Sequence, residues 1–128
     1  MTAEIVRRER LERAVLALAQ PADVQLSLFP DFVCKADELA LDFEEALDGF
    51  FGFEGEIGEC ERINLNALDR LILSKSGKAN ESFWTDEALL SHPTWDEIRV
   101  AAKSAVAAFG WELRRPPPSG AIYIGGAT

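Results

Sequence analysis

Residues 36–50 read Ala36-Asp37-Glu38-Leu39-Ala40-Leu41-Asp42-Phe43-Glu44-Glu45-Ala46-Leu47-Asp48-Gly49-Phe50, and they carry two competing periods. Leu39, Leu41 and Phe43 alternate as a strand would, but only across five residues. Ala36, Ala40, Phe43, Leu47 and Phe50 recur at helical spacing, which persists for about four turns. The longer pattern predicts a helix, with Asp37 placed to cap its start and Gly49 and Gly52 to unravel it. On that choice the whole chain reads as mainly α.

Upstream, residues 4–19 are rich in Arg, Glu, Leu and Ala, all good helix formers. Leu11, Ala14, Val15 and Leu18 make one apolar stripe, the first turns lack it and are expected to fray, and Pro21 stops the helix. Val24-Gln25-Leu26-Ser27-Leu28 alternates apolar and polar, which predicts a short strand. Downstream, residues 49–61 hold four glycines, four Glu and three Phe, the composition of a loop or loose hairpin. Asn64 can cap a helix running to about Ser76, with Leu65, Leu68, Leu71 and Ile72 inward and Gly77 as the stop.

The strongest helix signals come next. Thr85 is placed as an N-cap, with Asp86 and Glu87 in the first turn and Trp84 and Leu89 at the positions of a hydrophobic staple. Pro93 separates this short helix from a second, for which Thr94 and Glu97 have capping-box spacing and Gly110 closes the end. Trp95, Ile98, Ala102, Ala105, Val106 and Phe109 form its apolar stripe. The expected architecture is a single compact domain over residues 1–113 with four or five helices. At most a small two-stranded accessory sheet is added, from residues 24–28 and 121–124. Residues 114–128 are expected to be a proline-rich linker and C-terminal tail, whose Arg114-Arg115-Pro116-Pro117-Pro118 resembles an SH3 ligand in composition only.

The 128 residues include 13 basic and 22 acidic side chains, for a formal net charge of −9. Residues 21–61 hold twelve acids against Lys35 alone, a local charge of −11, while the flanking segments are each +1. Such a zone repels phosphates, so direct nucleic-acid binding there is not expected; it would steer a basic protein surface instead. The plainer reading is that the acids keep a small domain dissolved. No apolar run reaches the roughly 18–20 residues that a bilayer requires, so no membrane span is expected. The N-terminal residues enter a charged helix without an apolar signal segment, which points to a reducing cytoplasm. Cys34 and Cys60, with no metal or redox spacing, are then free thiols acting as small hydrophobes.

Groups for chemistry are few. His92 is the lone histidine, and its place before Pro93 suits a cap or turn. No cofactor motif, phosphate loop or nucleophile motif is present, and Gly49, Gly52, Gly55 and Gly58 are interleaved with Phe and Glu, which disfavours phosphate. Glu54, Glu56, Glu59 and Glu61 could offer oxygen ligands to a metal, but without the spacing of a calcium loop they read as solvated charges. Asp37, Asp42, Glu44, Glu45 and Asp48 could pair for hydrolysis, yet read first as the wet face of a helix.

One combination stands out. Phe50, Phe51 and Phe53 cluster beside Glu54, Glu56, Glu59 and Glu61, and aromatic anchors rimmed by charge describe many protein interfaces. Against this, the rings could turn inward, Phe50 above all. In size, acidity and helix content the chain is similar to small bacterial immunity and antitoxin proteins, a likeness of class and not of motif. The expected function is a non-catalytic acidic protein-binding module, such as an immunity, antitoxin or inhibitor protein, that engages a basic partner through residues 37–61. The alternative is a small carboxylate- or metal-dependent hydrolase using those carboxylates and His92. A subunit of a self-associating helical assembly fits as well.

Overall fold

The computed structural model describes residues 2–117, and in them the chain folds into six α-helices and two short 3-10 turns. The helices are α1 (Ala3–Leu18), α2 (Ala22–Ser27), α3 (Lys35–Asp48), α4 (Glu59–Leu73), α5 (Asp86–Ser91) and α6 (Pro93–Phe109). The 3-10 turns are Glu54–Glu56 and Lys78–Phe83. Helix α1 packs against both α3 and α6, α6 packs in turn on α4, and the short α2 and α5 close the end near α3. One continuous apolar cluster, drawn from all four long helices, forms the core.

The mainly α expectation holds, although six α-helices stand where four or five were expected, and residues 36–48 form a helix that starts at Lys35 behind Cys34, with Asp37 and Glu38 in its first turn. No strand occurs among the described residues, so the accessory sheet is not supported there. Of its first half, residues 24–27 are helical and Leu28 caps them, because Gln25 points inward. The Gln25 amide is fully buried and donates from Nε2 to the carbonyls of Ala17 (3.2 Å) and Leu18 (3.1 Å). Those carbonyls end α1 inside the protein and need donors. The alternation of Val24, Leu26 and Leu28 is therefore a coincidence of composition. The second half, residues 121–124, lies outside the described residues.

Two helix starts also differ from expectation. The N-terminal turns of α1 are tied down, by Thr2 Oγ1 accepting from the Ile5 N–H at 3.3 Å and by contacts of Arg7 and Arg8 described below. Helix α4 begins five residues before Asn64, at Glu59, because the Glu61 carboxylate accepts from the Gly58 N–H at 2.7 Å.

The end of the chain that carries the aromatic residues follows its sequence closely. Thr85 Oγ1 accepts from the Ala88 N–H at 3.1 Å and starts α5. His92, not Thr94, caps α6: its Nδ1 accepts from the Thr94 N–H at 3.1 Å, and Pro93 occupies the first helical position. Gly110 ends α6 at φ +73°, a left-handed conformation that favours glycine. Small alanines at 102 and 105 leave room for neighbouring backbones, while Trp95 lies flat on Phe83, with ring centroids 4.9 Å apart. The Trp95 indole donates to the Phe83 carbonyl at 3.1 Å, so its one polar atom is satisfied in the interior. Arg99, also buried, donates from both terminal guanidinium nitrogens, Nη1 and Nη2, to the Leu89 carbonyl and covers the end of α5.

Trp95 therefore ties the 78–83 turn to α6, and Arg99 ties α5 to it. Trp95→Ala is expected to cost about 3–5 kcal/mol and lower Tm by roughly 10–20 °C in a thermal melt. A loss below about 1 kcal/mol would show that Phe83 repacks into the space.

Candidate functional site

The segment joining α3 to α4 carries the aromatic and acidic residues singled out above. Phe50 continues the apolar stripe of α3, is only 3 % exposed and belongs to the core. Gly52 adopts φ +83°, and that left-handed turn sends the chain back along the protein. Phe51, immediately before it, is 85 % exposed, the most open of the large apolar residues described. Phe53 is 46 % exposed, and the guanidinium of Arg7 sits 3.8 Å from its ring centroid.

The four glutamates are less available than their sequence suggests. Glu56 holds Arg7 in a two-pronged pair, Nε to Oε1 at 3.2 Å and Nη2 to Oε2 at 2.8 Å, while Arg8 donates to the Glu56 carbonyl at 2.7 Å. This clasp fastens the connection to α1 and neutralises the carboxylate. Glu61 caps α4, as noted. Glu54 Oε1 accepts from the Gly52 N–H at 3.1 Å, and such backbone bonds hold its carboxyl below the ordinary range. Glu59 remains largely open, with a long contact of 3.4 Å to Arg62. The structure thus brings Phe51, Glu54 and Glu59 to the surface, uses Glu56 and Glu61 as fasteners, and sends Phe50 inside.

Beside Phe51 lies a groove of about 240 Å³. Its walls are Leu47, Phe51, Ile57 and Leu65 with Phe50 at the base, and Asp48, Glu54, Arg62 and Asn66 form the rim. Ile57 and Leu65 were not singled out by sequence. Leu65 was visible only as part of a core stripe, and Ile57 as an isolated apolar residue among glycines and acids.

The acids on α3 do not converge on His92, which is engaged at the start of α6 with its ring edge-on to Phe83. Among the described residues, no three His, Cys, Asp or Glu side chains come together in a way that could hold a metal ion. Cys34 and Cys60 are free, as expected, but both are exposed rather than packed as core hydrophobes. The Cys34 Sγ lies 3.3 Å from the Trp84 carbonyl, and burial raises its thiol pKa, with Asp37 and Asp86 adding to the effect. That is the opposite of an activated nucleophile.

One pair of carboxyls does meet, and sequence reasoning found only half of it. Glu44 on α3 faces Asp69 on α4, and each has a buried oxygen, Oε1 and Oδ1, that no donor reaches. With Glu44 protonated, its O–H supplies the donor that both oxygens lack. Burial first, then Asp69, then the charge of Asp48 raise the Glu44 pKa to about 8. Asp69 looked like an ordinary polar-face residue because its partner lies 25 positions away in the sequence.

An acid whose folded pKa is raised gives stability that is complete below its unfolded value and is lost as pH rises through the folded one. Tm is therefore expected to fall between about pH 4.5 and about pH 8, and Glu44→Gln, whose amide can donate to Asp69 at any pH, is expected to flatten the fall. An unchanged pH profile in Glu44→Gln would assign the loss elsewhere.

Comparison with protein-family models, curated proteins and solved structures returns no match for this chain.

Proposed function

We propose that this chain is a non-catalytic binding module that engages a basic partner protein through the α3–α4 connection, in the manner of an immunity, antitoxin or inhibitor protein. The observation that carries the reading is Phe51: a ring 85 % exposed at the edge of an apolar groove, within the segment that holds the acidic excess. An open ring beside a concave apolar surface costs solvation in the free protein and returns it when a partner covers both. Asp48, Glu54 and Glu59 supply negative charge around that patch, which favours encounter with a basic surface and disfavours nucleic acid. Phe53, braced by Arg7, extends the contact, and Glu56 and Glu61 act by holding the connection in shape. Among the described residues no helix is long and apolar enough to cross a membrane. A cytoplasmic partner is part of the same proposal.

The hydrolase alternative has one feature in its favour, the Glu44–Asp69 pair. Neither residue lines the groove beside Phe51, so that groove does not bring a substrate to the carboxyl pair.

The test is affinity capture from the source cell with the full chain and with Phe51→Ser. The variant is expected to melt within a degree or two of the parent and to retain a basic partner at least tenfold more weakly, about 1.4 kcal/mol. Glu54→Gln with Glu59→Gln should slow association and reduce its salt dependence. Equal recovery by Phe51→Ser, or sedimentation showing that the groove is filled by a second copy of the chain, would overturn the reading.

A further inference from the structure

A second concavity lies on the other side of α3, away from the α3–α4 connection. Its volume is about 390 Å³, within the range of small-molecule sites. One wall is α1, which presents Arg10 and Arg13 a single turn apart on one face, with Ala14 and Ala17 beneath them. Leu28 and Phe29, just after α2, give an apolar floor, and α3 contributes Asp42 and Glu45.

The remaining wall is the extended chain after α6, and it is firmly held. The Gln20 amide donates to the Arg114 carbonyl at 2.7 Å, Arg114 pairs with Glu12 at 3.0 Å, and Arg115 donates to the Ser27 hydroxyl at 3.0 Å. Pro116 and Pro117 then continue the wall as rigid apolar surface with no N–H to satisfy.

The charge here runs against the rest of the molecule. In a chain of net charge −9, three guanidinium groups from two separate segments meet two carboxylates around one cleft. Their existing contacts are weak or neutral: Arg10 reaches Glu45 at 4.0 Å, and Arg115 has the Ser27 hydroxyl. Arg13 forms no hydrogen bond or salt bridge with any described residue and meets Asp42 only through space. A half-buried guanidinium whose donors meet no described residue, above apolar walls, matches the planar head of a carboxylate on an apolar body.

We infer that this cleft is a binding site for a small amphipathic carboxylate, with Arg13 and Arg115 on the head group and Ala14, Leu28, Phe29 and Pro116 around the body. Asp42 sets its response to pH. Burial first, then Glu38 and Glu45, raise the Asp42 pKa to about 6 against the opposing pull of Arg13 and Arg10. Arg115 is the remaining charged group lining the cleft, and the residues contributed from Ser27 to Phe29 do not titrate. Protonation of Asp42 removes a negative charge beside the incoming anion, so affinity rises as pH falls through that value.

The test is calorimetric titration of the full chain with decanoate and, separately, with decylammonium, which has the same tail and the opposite head. Decanoate is expected to bind saturably at one site and decylammonium at least tenfold more weakly. Arg13→Gln should weaken decanoate tenfold or more, while Lys103→Gln on the exposed face of α6 leaves it unchanged. Asp42→Asn should tighten binding severalfold near pH 7.5 and abolish the gain seen near pH 5.5. Where Arg13→Gln does not fold, Arg115→Gln and the comparison of the two head groups on the parent chain decide the same question. Equal or tighter binding of decylammonium, insensitivity to both arginine changes, or no saturable decanoate binding below about 5 mM would overturn the inference.

Discussion

Helix α1 is buried on all sides over its last turns, where Ala14 through Ala19 lie in the core between α3 and α6. Ending a helix in the interior leaves carbonyl groups that water cannot reach, and each must find a donor within the protein. Two glutamines meet this demand. Gln25 takes the Ala17 and Leu18 carbonyls and thereby turns residues 22–27 into a helix laid across the end of α1. Gln20 takes the Leu16 carbonyl at 3.0 Å and, with the same nitrogen, the Arg114 carbonyl, which fixes the chain that leaves α6. The position of α2, the path of residues 114–117 and the cleft between them all follow from terminating one helix out of contact with solvent.

A similar economy governs the acidic segment. Its carboxylates were expected to act together as a field, but several have a specific duty in the fold. Glu56 fastens the α3–α4 connection to α1 through Arg7 and Arg8, Glu61 starts α4, and Glu44 packs its carboxyl against that of Asp69. What reaches the surface is narrower than the sequence total implies: Asp23, Asp31, Asp37, Glu45, Asp48, Glu54 and Glu59 are exposed, and of these Asp48 and Glu54 line the groove beside Phe51. The two concavities therefore differ in kind. The rim of the apolar groove at Phe51 sets Asp48 and Glu54 against Arg62, whereas the cleft on the far side of α3 sets three guanidinium groups against two carboxylates.

The long helices were legible because their apolar residues recur at helical spacing, and the inward residues of α4 and α6 were identified correctly down to Leu65, Leu68, Ile98 and Val106. Local capping at Thr85 and Gly110 was legible for the same reason: cause and effect lie within one turn. What stayed hidden depends on distant partners. Gln25 looked like the polar face of a strand, and only the buried end of α1 explains it. Asp69 gains its meaning from Glu44, and Arg13 and Arg115 meet through a turn of chain that periodicity does not describe. The split among Phe50, Phe51 and Phe53 was also beyond pattern reading. Three neighbouring rings differ in fate because a left-handed glycine turn follows the second of them.

The placement of α1 has a further consequence for how the protein comes into being. The helix nearest the N-terminus is the one wrapped by the others, and its last wrapping partner, α6, ends at Phe109. During synthesis at about 5–20 residues per second, α1 therefore waits several seconds with its apolar flank uncovered. The arginines and glutamates that fill its first two turns serve the nascent chain as well as the finished one, because they keep that waiting segment from adhering to other polypeptides until its cover arrives.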